Sequence, residues 1–278
     1  MKALLLTTVL GVALATPVAA QENPYFITYD HHMEEPGNLE ISLTPVLGAP
    51  RQGNTSLATQ MELEYGTRGW WTTALYLDGQ STLGDSSIFT GYRIENRVRL
   101  LMEEHAINPV LYVEFADVSG ADKAVREVVG FDSWHDLAVP NAEARRERKR
   151  EIETKLILSS NRHGWNLAGN AIAEKNLSGS RWEFGYAIAA SRPLALAASP
   201  NECRICRENF SAGIEMYGGL GEIGQVTLMG TSHYIAPTAS FTLPKGITLR
   251  LSPAVGLTRM SNRSFVRFGI SYELRGLR

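Results

Sequence analysis

Apolar and polar residues alternate with a period of two along most of the chain, in runs longer than a soluble sheet ordinarily uses. Tyr92, Ile94, Val98 and Leu100 fall on one face of their run; Arg93, Glu95, Arg97 and Arg99 fall on the other. Near the C-terminus Val266, Phe268, Ile270, Tyr272 and Leu274 alternate with Arg267, Gly269, Ser271 and Glu273. Twelve runs of this kind lie near 38–46, 57–67, 70–79, 88–101, 109–118, 150–160, 164–174, 181–197, 208–218, 232–242, 246–258 and 263–274. Soluble strands cluster at about 5–6 residues, whereas tilted strands that cross a bilayer need about 9–11. Open sheet edges cannot exist in hydrocarbon, so spanning strands must close on themselves. The expected fold is therefore all-β, a transmembrane antiparallel β-barrel of about 12 strands.

The N-terminus supports export. Lys2 precedes an apolar stretch from Ala3 to Ala15, and Val18-Ala19-Ala20 offers small residues for cleavage. Residues 1–20 read as a signal peptide, 21–37 as a periplasmic linker and 38–278 as an outer-membrane barrel of a Gram-negative envelope. Connections mostly alternate in length as such barrels require, with two exceptions, 198–207 being longer and 259–262 shorter than expected. The longer ones, 47–56, 79–87, 119–149 and 219–231, fall on one side. Segment 119–149 reads as a solvated, charged loop. Aromatic residues such as Trp70, Trp71, Trp165 and Tyr272 lie near strand ends, where interface girdles form. A formal net charge of −2 and the absence of a basic excess argue against a nucleic-acid partner. The expected partners are outer-membrane lipid, a small-molecule solute, and the barrel-assembly machinery during insertion.

If one face meets lipid, the charged face lines the lumen. The expected lumen-lining residues are Arg93, Glu95, Arg97, Arg99, Tyr112, Glu114, Glu151, Glu153, Lys155, Arg250 and Arg267. A slip of one residue would turn Arg93, Arg97 and Arg99 toward lipid, at about 2–4 kcal/mol for each Arg near the midplane. Two readings stay open: an ion-pair ladder that fills a narrow lumen, or a pore surface that selects ions.

The stretch GYRIENRVRLLMEEHAINPVLYVEF, Gly91 to Phe115, resembles a strand-turn-strand pattern of the MetA-pathway of phenol degradation family of outer-membrane barrels. HYIAPTASF from His233, GITLRLSPAVGLT from Gly246 and FVRFGISYEL from Phe265 resemble its closing strands. The resemblance implies an outer-membrane protein that passes small solutes, hydrophobic or aromatic compounds among them, and it carries over no catalytic residues.

Other chemistry is sparse. Cys203 and Cys206 form a C-x-x-C with no following His and no second pair. A local disulfide in an oxidising compartment is expected rather than haem or zinc. Asp30-His31-His32-Met33 could interest a metal, but it reads as part of the solvated linker; no metal or cofactor is implied. Ser232-His233 is the one adjacent nucleophile and base, and neighbours on a strand face opposite ways. No catalytic residue is assigned. The expected function is a passive channel or uptake barrel; a barrel-embedded lipid hydrolase and a non-conducting barrel with partner-binding loops are the alternatives.

Overall fold

The computed structural model describes residues 23–179, 181–197, 205–243 and 246–277. The proposed signal peptide and Cys203 lie outside the described residues. The strands are β1 (Leu39–Ala49), β2 (Ser56–Arg68), β3 (Trp71–Thr82), β4 (Ser87–Arg99), β5 (Asn108–Ser119), β6 (Arg148–Arg162), β7 (Trp165–Asn176), β8 (Glu183–Pro193), β9 (Phe210–Glu222), β10 (Gln225–Val226), β11 (His233–Leu243), β12 (Ile247–Gly256) and β13 (Ser264–Leu274). Every neighbouring pair is antiparallel. β13 pairs with β1, and β8 pairs with β9, so twelve strands close into a barrel. The two-residue β10 only folds back onto the end of β9. Closure gives every ladder hydrogen bond a partner and leaves no edge.

Burial follows the alternation. Leu43, Ile94, Leu111, Val113, Leu156, Ile188, Leu251 and Phe268 are exposed on the outside, although each belongs to a strand interior. Their in-strand neighbours Ser42, Arg93, Glu95, Tyr112, Glu114, Lys155, Ala187, Ser252 and Arg267 are buried. This inverts a soluble sheet. The apolar belt faces out, and the core is polar and lies inside the barrel. No helix among the described residues is long and apolar enough to cross a membrane.

Two segments depart from the sequence reading. Residues 23–37 are not a solvated linker. They enter the barrel from the end where β1 begins, here called the lower end, and Tyr25, Ile27 and His31 are buried there. Three consecutive amides, of Phe26, Ile27 and Thr28, donate to one oxygen of Glu215 at 2.9–3.0 Å. Tyr29 exchanges two backbone hydrogen bonds with the Asn170 side chain. The chain here has no strand partner, so wall side chains satisfy its amides.

Segment 120–147 is likewise not a solvated loop. It descends from the upper end, carries the short helices α1 (Trp134–Ala138) and α2 (Asn141–Ala144), and buries Ala121, Ala124, Val128, Val129 and Leu137. Ser133 caps α1 in a reciprocal box with Asp136. The exposed Glu143 to Arg148 stretch accounts for its charged appearance, while its apolar half packs inward. Glycines prepare the docking strip: a Cβ on Gly185 would sit 2.4 Å from the Val128 carbonyl oxygen. One on Gly219 would sit 2.4 Å from that of Gly130. Glycine alone permits this approach.

Candidate functional site

The lumen carries a slanted row of carboxylates. Glu273, Glu40 and Glu64 are direct cross-strand partners on β13, β1 and β2. Ala74 interrupts the row on β3. Glu95, Glu114, Glu153, Glu174 and Glu183 then succeed one another as direct partners on β4 to β8. Direct partners in an antiparallel ladder share a face, so one inward carboxylate places the whole row inside. The strands tilt, so the row climbs from the lower end, at Glu40 near the start of β1, to the upper end, at Glu183 at the start of β8.

Like charges directly opposite one another repel, and basic groups interleave with the row. Arg97 forms ion pairs with Glu64 and, at 2.9 Å, with Glu95. Arg93 meets Asp78 at 2.9 Å, Glu114 at 3.3 Å and Asp122 at 2.7 Å. Lys155 lies 2.8 Å from Glu153 and 4.3 Å from the Tyr112 ring centre. Desolvated charges of this kind are tolerated only when paired.

The two inserts meet at mid-barrel. Arg126, from the upper segment, donates to Glu114 at 2.6 Å and to Glu95 at 3.2 Å. Its guanidinium lies 3.8 Å from the Tyr76 ring centre, and it also donates to the Tyr29 hydroxyl of the lower segment. The Tyr29 hydroxyl in turn donates to Glu95 at 3.1 Å. Next to Arg126, Val125 holds a φ of 47°, a costly value for a β-branched residue. Its carbonyl accepts from Arg267 at 2.8 Å.

The inserts leave two cavities. The lower, of about 340 Å³, is lined by the N-terminal segment with Glu40, Glu62, Glu64, Arg97, Arg250 and Glu273. The upper, of about 280 Å³, is lined by Asp122, Glu127, Asp132, Glu151, Glu174 and Glu183, with Arg93 and Lys149. Val125 and Arg126 line both.

Of the residues singled out from sequence, Arg93, Glu95, Arg97, Tyr112, Glu114, Glu153, Lys155 and Arg267 are buried inside the barrel. Glu151, Arg250 and Arg99 are partly buried. Arg250 lies 3.4 Å from the Tyr25 carbonyl oxygen, which it contacts as donor. Cys206 is disulfide-bonded; Cys203, the other member of the expected pair, is among the residues not described. Ser232 and His233 do not pair. The Ser232 hydroxyl donates to the Asp132 carbonyl at 2.6 Å, and His233 faces Tyr186 and Thr231. His31 is not solvated: it contacts Ser159 at 2.5 Å and Glu104 at 2.9 Å.

Sequence reasoning missed Glu215, Asp78, Glu174, Tyr29 and Arg126. Glu174 could have been found by extending the alternation of β7. Tyr29 and Arg126 lie outside every periodic run, so no local signal marks them.

No protein-family model and no curated protein matches the chain. Among solved structures, the chain is similar to the COG4313 outer membrane channel from Pseudomonas putida F1. The two share 12% identity and a TM-score of 0.56, covering 88% of this chain and 98% of that one. The KdgM porin (8% identity, TM-score 0.48, covering 84% and 98%) and the NanC porin (10%, 0.48, 85% and 100%) are also similar. The protein shares the closed-barrel fold of the first of these, an outer-membrane channel.

Proposed function

We propose that the protein is an outer-membrane channel for small polar solutes, held closed by its two inserts and selective for cations when they withdraw. The outward apolar belt and the closed ladder suit hydrocarbon, and the lower end, which receives the N-terminus, faces the periplasm. The observation that carries the reading is the carboxylate row, which climbs the wall from one end to the other and is crossed at mid-barrel by Tyr29 and Arg126. Withdrawal of the lower segment and the loop would remove Arg126 and open the row to water, leaving its carboxylates in excess over the wall cations Arg93, Arg97 and Lys155, an acidic lining of the kind that favours cations. The wall of the path is charged rather than apolar, which favours ions and polar solutes over hydrophobic ones.

Planar-bilayer recordings test this. The full-length protein should give rare, small unitary currents. A variant lacking residues 23–34 should conduct severalfold more, with a reversal potential in a KCl gradient on the cation side. No unitary current from either protein would overturn the channel reading. Extraction of the mature chain as a soluble monomer in plain buffer would overturn the membrane placement.

A further inference from the structure

Where the loop from the upper end touches the wall, one loop carboxylate meets two carboxylates of the row. Glu127 descends on the loop; Glu153 and Glu174 are direct partners on β6 and β7. One oxygen from each lies within 4.8 Å of the other two. Acidic groups often crowd without purpose, but two features here need an explanation. Glu153 is 2% exposed, and its Oε2 has no hydrogen-bond donor among the described residues. The Glu127 side chain is 9% exposed, and its Oε2 is likewise buried without a donor. The neighbouring cations engage the other oxygens: Lys155 lies 2.8 Å from Glu153 Oε1, and Arg93 lies 3.6 Å from Glu127 Oε1. Buried carboxylate oxygens without donors are rare and call for an ion or a water.

We infer that Glu127, Glu153 and Glu174 form a calcium site that ties the loop to the barrel wall. Calcium takes six to eight oxygens at about 2.3–2.6 Å, so ligands across the ion stand roughly 4.6–5.2 Å apart. Magnesium, at about 2.0–2.1 Å and nearly octahedral, would draw them to roughly 4.2 Å or less. A bound of 4.8 Å on these distances admits either ion; three carboxylates from separate elements favour calcium, because magnesium ordinarily keeps its waters and takes only one or two. The adjoining upper cavity of about 280 Å³ is lined by Glu127 and Glu174, and by Glu151 beside them. It gives an entry path and room for the waters that complete the shell. A divalent ion would offset the excess of negative charge that Lys155 and Arg93 leave uncompensated. Only Glu127 comes from the loop, so binding and loop docking are linked: whatever stabilises the bound state holds the loop in the lumen. A barrel that does not conduct would hold the ion in the same way.

The test uses full-length mature protein refolded into detergent, free of lipopolysaccharide and stripped with EDTA. Calorimetric titration with calcium chloride should show one saturable site per chain, with magnesium chloride binding at least tenfold more weakly. Glu174→Gln and Glu127→Gln should each weaken calcium at least tenfold, and Glu222→Gln, outside the cluster, should not. Heat-modifiable gel mobility reports folding. Glu127 lies on the loop, so its variant keeps the barrel intact even if Glu174→Gln does not fold. In parallel, calcium should slow tryptic cleavage after the exposed Arg145 and Arg146 in the parent and not in Glu127→Gln. No saturable calcium binding, tighter binding of magnesium, or unchanged binding in Glu127→Gln would each overturn the site.

Discussion

The hydroxyl of Tyr29, on the segment that enters from below, and the guanidinium of Arg126, on the loop that descends from above, are hydrogen-bonded in the middle of the barrel. Both also contact Glu95 Oε2, Tyr29 at 3.1 Å and Arg126 at 3.2 Å. One carboxylate of the wall thus holds the two inserts together. Removing either insert strips a partner from a buried charge.

Arg126→Ala should therefore act on both the closed state and stability. It leaves Glu95 and Glu114 short of their shared cation. Breaking a buried pair costs about 3–5 kcal/mol when the remaining charge stays buried. Here water can enter from either cavity, so the loss should fall below that range. Single-channel recording should show a higher open probability than in the parent, and thermal unfolding of the β signal should shift down. An unchanged current and midpoint would mean that the contact does not hold the inserts.

Glu215→Ala should release the lower segment. One oxygen now accepts from the amides of Phe26, Ile27 and Thr28, and each orphaned buried group costs roughly 1–3 kcal/mol. The segment would leave the lumen rather than bear that cost. Protease should cut the chain before Leu39 much faster than in the parent, with the barrel intact on gels. Equal cleavage rates would contradict the role given to Glu215.

The docking of the upper loop should weaken as pH rises toward neutrality. Burial pushes the Asp132 carboxyl up to about 7, against the pull of Lys149 and with the help of Asp136 and Glu183. A carboxyl raised in the folded state favours that state while it is protonated. The contribution is complete below the ordinary value of 3.8 and is lost as pH rises through about 7. Loop proteolysis should rise between about pH 5 and 7 and level off above, and Asp132→Asn should flatten the dependence. A rate that falls with pH in the parent would reverse the sign and refute the account.

Gly185→Ala tests the docking strip. Its Cβ would stand 2.4 Å from the Val128 carbonyl oxygen and 3.1 Å from Val129 Cγ1. Hydrogen exchange should increase across 124–130 while the strands β7 and β9 keep their protection. Uniform loss of protection would show instead that the barrel itself failed.

Cys206 should not react with thiol reagents in the unreduced protein, since it is disulfide-bonded. Mass spectrometry after alkylation, with and without reductant, reads this directly. Labelling before reduction would contradict it.

The barrel was legible in the sequence because its physics is local. A strand between lipid and an inner polar face must alternate, and it must be long. Arg93 to Leu100 and Val266 to Leu274 state the register without reference to any distant residue. The same rule turns Glu95, Glu114 and Glu153 inward. That they line up into one climbing row depends on the relative stagger of the strands, which no single run records. The inserts were not legible at all. Asp30-His31-His32 and the charged end of segment 120–147 have the composition of solvated chain. What buries Asp30, His31 and the apolar half of that segment is an enclosed acidic wall assembled from β4, β5, β7 and β9, whose carboxylates and amide side chains need donors and whose glycines leave space. Each local pattern reports which face of a strand is polar. Only closure of the barrel decides what occupies the volume those faces enclose, because that volume exists in no segment taken alone.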